Sequence, residues 1–265
     1  MTPPKLEAVL VDVEDCIAVV KFNRPNNANA LGHQTMSDLL AAFTWASDRP
    51  EVRIIVLTGV NNFFSAGMDL VGLPESGPVL PDEAVERLSA IHELLIKTPK
   101  ILIAAVNGPA IGYGTSILSL FDLVYSVPDA IFFTPFVKWG LCAEACSSVT
   151  FMQIMGRQKA ASLILAGERM TAQELESAGL ITRILDVPKE GFLEEVMKIA
   201  RRVATQPPGA LKFSKELMMS PIRDSLLAAN ARECAGLRER SRTDEPRKAI
   251  AKFEEEQKAR RSTKL

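Results

Sequence analysis

Histidine is nearly missing from this chain, with His33 and His92 the only two in 265 residues. Two histidines cannot build a multi-His metal site. The cysteines are Cys16, Cys142, Cys146 and Cys234; Cys142 and Cys146 lie four apart, but no second close pair or nearby histidine completes a zinc set. No metal is expected, and the scattered cysteines read as free thiols of a reducing compartment. Charge of one sign is also lacking: 31 Lys and Arg stand against 32 Asp and Glu, a net charge of −1. That balance excludes a generally cationic nucleic-acid binder and gives no reason to expect an anionic membrane surface as partner. A long apolar run is absent too. The most apolar stretch, Ile101 to Phe121, is interrupted by Asn107, Gly108, Pro109, Gly112 and Gly114, so no membrane span is expected. Met1-Thr2-Pro3-Pro4-Lys5 lacks the apolar centre of a secretory leader, and a soluble protein is expected.

Several catalytic signatures are missing as well. There is no phosphate-binding P-loop and no G-x-S-x-G, and the histidines give little support to a Ser-His-Asp triad. Gly112-Tyr113-Gly114 follows a strand, but the third glycine of a dinucleotide turn would fall at Ile117. His92 lies beside the apolar face of a predicted helix and reads as structural.

What is present is a globular composition, 47% hydrophobic and 24% charged, in a chain long enough for a large core. Strands are predicted at Ala8–Val13, Ile17–Phe22, Arg53–Leu57, Ile101–Val106 and Leu123–Ser126. A helix runs through Met36, Leu39, Leu40 and Phe43. Another covers Asp82 to Lys97, with Val85, Leu88, Ile91 and Leu95 on one face and Pro99 stopping it. Gly59 to Pro81 reads as a long surface loop. A helix is expected from the Gly112 turn to about Leu120. From Ala143 onwards the pattern is mostly helical, interrupted at Ile181–Leu185, and Ser241 to Leu265 is a charged amphipathic helix using Ile250 and Phe253. The fold class is α/β, one domain over residues 1–200 with a C-terminal helical region over 201–265.

Three places can carry chemistry. Phe63 to Leu70 and Asn107 to Gly114 are glycine-containing turns, each after a buried strand. Side by side, they can aim two backbone N–H groups at one oxygen, an oxyanion hole; equally, they can be ordinary strand-to-helix connections. The third is Glu144, which shares residues 131–155 with a single other charge, Lys138. A carboxylate in apolar surroundings has a raised pKa and suits a general base, whereas a Glu in the first turn of a helix merely complements its dipole.

The chain resembles the crotonase (enoyl-CoA hydratase/isomerase) superfamily. The resemblance rests on Phe22-Asn23-Arg24-Pro25, Asn29-Ala30-Leu31, Phe64-Ser65-Ala66-Gly67-Met68-Asp69-Leu70 and Ala105-Val106-Asn107-Gly108-Pro109-Ala110-Ile111-Gly112. It continues through Phe121-Asp122, Thr171-Ala172 and Ala178-Gly179-Leu180. The stretch with Thr134-Pro135-Phe136, Gly140-Leu141, Glu144 and Cys146-Ser147-Ser148 is similar to that of peroxisomal Δ3,Δ2-enoyl-CoA isomerases. The resemblance implies a crotonase-like spiral of ββα units with a helical C-terminal trimerisation region. It implies Glu144 as catalytic base, backbone donors at Met68 and Tyr113, and substrate contacts from Ala66, Gly67, Met68, Asp69, Leu70, Gly112 and Tyr113. The substrate would be an acyl-CoA thioester, with coenzyme A part of the substrate and no separate cofactor; Arg24 and C-terminal lysines are candidate phosphate partners.

The hydratases of the family carry a second glutamate where this chain has Ser116, which favours isomerisation of a 3-enoyl-CoA, in fatty acid β-oxidation, over hydration. A hydratase-like enzyme of a specialised pathway and a silent acyl-CoA-binding module are the alternatives. Two departures stand out: Ala145 replaces the usual glycine after the glutamate, and Tyr113 replaces glycine or an aliphatic residue, a ring able to reshape the acyl pocket. A homotrimer or hexamer is implied. The ending Thr263-Lys264-Leu265 approximates the Ser-Lys-Leu peroxisomal address, so an import receptor and the peroxisomal matrix are expected.

Overall fold

Val9–Glu14 (β1) and Ile17–Phe22 (β2) form an antiparallel hairpin, turned by Asp15 at φ 52. From β2 onward the sheet is parallel, adding Ile54–Gly59 (β3), Ile101–Val106 (β4), Leu123–Ser126 (β6) and Arg183–Ile184 (β9). The interior strands β3 and β4 are buried on both faces, which is why they read as unbroken apolar runs rather than alternating ones. The computed structural model describes residues 2–70 and 76–262.

A second, smaller sheet joins Ala110–Ile111 (β5), Ile131–Phe133 (β7) and Met170–Thr171 (β8). Two isolated parallel bridges, Leu31 to Met68 and Ser65 to Ala110, extend the pairing between successive turns of chain. The pattern repeats: a strand for the large sheet, a short extended piece for the second, then a helix. His33–Asp48 (α1), Asp82–Lys97 (α2), Tyr113–Ser116 (α3) and Ser147–Ile164 (α4) each close one such turn. This is the expected α/β spiral. Because each turn repeats the last, the loops leaving β3 and β4 emerge as neighbours.

Helix α2 keeps its expected bounds, with Val85, Leu88, Ile91 and Leu95 all buried. Three differences from the sequence reading appear. Strands β5, β7 and β8 were not anticipated. The helix expected up to Leu120 is α3 alone, continued as a 3-10 turn over Ile117–Leu120. Finally, α4 starts at Ser147 rather than Ala143, because Ala145 and Cys146 are both left-handed, at φ 54 and 62. Glu144 therefore precedes the helix and does not serve its first turn.

Ala172–Ser177 (α5) opens with a capping box between Thr171 and Glu174, and Lys189–Ala204 (α6) packs on the large sheet. Pro208–Met219 (α7) is tied to that sheet by the buried Lys215, whose Nζ donates to Asp122 at 2.7 Å and to the Lys100 carbonyl at 2.6 Å. Arg223–Ser241 (α8) lies along α2, and Asp244–Ser262 (α9) folds back so that Phe253 meets the Trp139 ring edge-on at 5.1 Å. The tripeptide Thr263-Lys264-Leu265 lies outside the described residues. Among the described residues no helix is long and apolar enough to cross a membrane, and no group of His, Cys, Asp and Glu side chains is placed to hold a metal. All four cysteines are free thiols.

Candidate active site

The loop after β3 is fixed before it reaches the site. Phe64 is fully buried against Phe22, and Ser65 Oγ donates to the Asn29 carbonyl at 2.9 Å while accepting from Gly67 N at 3.1 Å. Leu31 N then donates to the Gly67 carbonyl, and Asp69 N to the Leu31 carbonyl. This alternation leaves the Met68 N–H pointing to the other side, without an acceptor among the described residues. The loop after β4 is anchored on the first one, through Ile111 N to the Ser65 carbonyl at 2.8 Å. Gly112 N donates to the Phe133 carbonyl, and Tyr113 opens α3, so its N–H also has no acceptor there.

Two glycines let the loops touch. Gly67 has φ +79, and a Cβ there would lie 2.5 Å from the Ile111 carbonyl oxygen and 3.4 Å from Tyr113 N. A Cβ on Gly112, at φ +54, would lie 3.9 Å from Gly67 Cα. The two turns are thus adjacent.

Both turns line a cavity of about 530 Å³, whose lining includes Ala66, Gly67, Met68, Asp69, Leu70, Gly112, Tyr113 and Glu144 together. The residues expected as base, backbone donors and acyl-substrate contacts therefore line one space, whereas Arg24, a candidate phosphate partner, does not line it. The wall opposite the loops is mostly apolar, including Phe136, Trp139 and Leu141, with Leu237 of α8 and Ile250 and Phe253 of α9.

Glu144 is 3% exposed, and its carboxyl group has no hydrogen-bond partner among the described residues. Burial, and secondarily the negative charge of Glu233, push its pKa up to about 8. A carboxyl so poised gives and takes a proton near neutral pH. Ser116 is buried and donates to the Tyr113 carbonyl at 3.3 Å; it is not among the cavity-lining residues.

The Tyr113 ring is fully buried and stacks on His92, centroids 5.6 Å apart. Among the described residues its hydroxyl finds no partner, and burial together with Glu144 holds its pKa well above the usual value. His92 Nδ1 bonds Asn230 Oδ1 at 2.8 Å, and burial lowers the imidazole to about 4. It is a neutral packing partner behind Tyr113, as its place on the apolar face of α2 suggested.

Arg24 is committed elsewhere, donating at 2.8 Å to Asp69 and to the Ala30 carbonyl. The cations that line the cavity are Lys138, over the Trp139 and Phe253 rings, and Arg169, over the Phe133 ring. Neither was singled out from the sequence, where only the adjacency of Lys138 to Trp139 hints at it. Glu233 was missed entirely; it accepts the Cys146 and Ser148 amides at 2.7 and 2.9 Å.

A family model for enoyl-CoA hydratase/isomerase proteins matches residues 12–262, and the chain belongs to that family. It is 37% identical over 250 residues to enoyl-CoA delta isomerase 2 of Rattus norvegicus, covering 93% of this chain and 63% of the rat protein. The chain thus spans under two thirds of that relative's length. It is 36% identical over 248 residues to the peroxisomal enoyl-CoA delta isomerase 3 of Mus musculus, covering 92% of this chain and 77% of the mouse protein. Among solved structures, an enoyl-CoA hydratase/isomerase from Pseudoalteromonas atlantica superposes with a TM-score of 0.84 at 30% identity, covering 94% of this chain and 98% of that one. The fold is that of the crotonases, and the relatives support an enzyme of this family.

Proposed function

We propose that the protein is a Δ3,Δ2-enoyl-CoA isomerase in which Glu144 shuttles one proton. The observation that carries this reading is a single unpartnered, buried carboxyl facing the same cavity as the two adjoining amide-bearing loops. The Glu144 carboxylate removes a C2 proton from a 3-enoyl thioester. The C–H electrons form the dienolate, whose oxygen accepts the Met68 and Tyr113 N–H groups. Glu144 then returns the proton at C4 as the carbonyl reforms, leaving the double bond between C2 and C3. Each donor of such a pair supplies about 3–4 kcal/mol of transition-state stabilisation. The reading needs no cofactor beyond the coenzyme A carried by the substrate, with Lys138 and Arg169 as the cations nearest the cavity.

Ser116 supports isomerisation over hydration, since no second carboxylate comes from its position to orient water. The mouse relative's peroxisomal label supports the peroxisomal matrix as the location and β-oxidation as the setting. Assembly into a homotrimer or hexamer completes the reading and is measurable by sedimentation. The deciding experiment is the isomerisation rate of 3-enoyl-CoA by wild type and Glu144→Gln. A loss of at least 1,000-fold, on the order expected for removing the sole base, fits the reading; a variant within a few-fold of wild type refutes it.

A further inference from the structure

The turn carrying Glu144 is held from outside by a residue the reaction itself does not require. Ala145 and Cys146 are consecutive, non-glycine and left-handed, at φ 54 and 62. Each L-residue in that region costs about 1–2 kcal/mol, and such conformations persist only where the surroundings over-determine them. Here the surroundings are α8. Glu233 Oε2 accepts from Cys146 N at 2.7 Å and Oε1 from Ser148 N at 2.9 Å, so both oxygens are used on the chain just after Glu144. Its carbonyl accepts the Cys142 thiol, at 3.8 Å, from the chain just before. One residue of α8 therefore grips both flanks of the turn. Glu144, whose own carboxyl has no hydrogen-bond partner among the described residues, takes its direction from that backbone.

We propose that Glu233 is the positioning residue for Glu144, its carboxylate both fixing the strained turn and keeping a negative charge beside the base. This rests on Glu144 being the base. The titratable groups facing the pair are Tyr113 from α3, Cys142 and Cys146 of the turn, and Cys234 and Arg232 of α8. Burial raises Glu233 too, while its hydrogen bonds from Ser148 and Cys146 and the nearby Arg232 favour its charged form. Burial raises all three thiols and the phenol, so none of these adds a second anion at neutral pH. Asp69, Lys138, Arg169 and Glu254 line the cavity farther round.

The test compares kcat, KM and the pH profile of 3-enoyl-CoA isomerisation in wild type, Glu144→Gln, Glu233→Gln and Glu233→Asp, with folded content matched by circular dichroism. Gln keeps the volume, loses the charge and turns an N–H toward one amide. Glu233→Gln is expected to lower kcat about 50-fold with KM within about threefold, and to move the acidic limb to lower pH, since a like charge beside the base is gone. Asp keeps both oxygens and the charge but stands one methylene back. It is expected to lose about fivefold in kcat with the limb in place. Wild-type kcat and limb in Glu233→Gln overturn the proposal, as do equal losses in the two variants with an unmoved limb, the mark of a purely structural role. Should Glu233→Gln not fold, Glu233→Asp decides: reduced kcat with retained KM supports the proposal, and wild-type kcat overturns it. Full activity in Glu144→Gln instead removes the base assignment beneath it, an outcome separate from a silent Glu233.

Discussion

Replacing Glu144 with Gln is expected to make the protein more stable, by an amount that depends on pH. The carboxyl titrates at about 8 in the folded chain against 4.5 for an ordinary glutamate. The folded state holds this proton more tightly than the unfolded state does. Its contribution to stability is therefore present below pH 4.5 and is lost as pH rises through 8. Each pH unit crossed between those values costs about 1.4 kcal/mol. At pH 5.5 wild type and variant should differ by about 1 kcal/mol, and at pH 8.5 by about 4–5 kcal/mol in favour of Gln. Gln is close to isosteric and does not titrate, and the remaining groups cancel between the two proteins to first order. Urea unfolding at both pH values, at one protein concentration, measures the difference. A stability gap that stays the same between pH 5.5 and 8.5 would refute the reasoning, because it would mean the carboxyl is hydrated and titrates normally. The kinetic counterpart follows from the same sign: kcat/KM of wild type should rise with pH and level off above about 8.

Other perturbations separate the parts of the site. Gly67→Ala places a Cβ 2.5 Å from the Ile111 carbonyl at φ +79, and should cost about 2 kcal/mol and at least tenfold in kcat/KM, read by unfolding and isomerase assay. Tyr113→Phe removes a buried hydroxyl without a partner; stability should rise by about 1 kcal/mol while kcat stays within about threefold, because the proposed donor is the main-chain N–H. A Tyr113→Phe enzyme crippled in kcat would show that the hydroxyl takes part. Wild type should hydrate 2-enoyl-CoA only at trace rates, and a robust 3-hydroxyacyl-CoA signal would contradict the isomerase reading. An N-terminal fluorescent fusion should be punctate and become diffuse when residues 263–265 are removed; diffuse signal from both would reject the peroxisomal location while leaving the chemistry intact.

Helix α2 and strands β2, β4 and β6 were legible because their burial is written in the local pattern, in a four-turn apolar stripe or an unbroken apolar run. The second sheet was not. Strands of two or three residues carry no period, and β5, β7 and β8 exist only because distant turns of the spiral lie side by side. Glu144 could be picked out as a lone acid in a charge-poor stretch. Glu233 could not: it sits among Arg232, Arg238, Glu239 and Arg240 in a helix whose sequence looks solvated, and its partner amide is 87 positions away. Tyr113, expected to bear on the acyl pocket through its ring, lines the cavity with its ring packed on His92, a contact with a residue 21 positions away that no local pattern announces.

The expensive features of this molecule are concentrated around one turn. A carboxyl held at about 8 is followed directly by two consecutive left-handed residues, and a phenol without a partner among the described residues belongs to a residue lining the same cavity as that carboxyl. Each runs against the local preference of its residue type, and none improves packing that an apolar residue or a glycine would not serve as well. Ala145 makes the point. Glycine would relieve about 1 kcal/mol of left-handed strain, but the Ala145 methyl is fully buried, and removing it forfeits about 0.8 kcal/mol of burial. Ala145→Gly should therefore leave stability nearly unchanged, with any effect falling on kcat, through a looser hold on Glu144. A large stability gain with unchanged kcat would mean that the strain is incidental to the site.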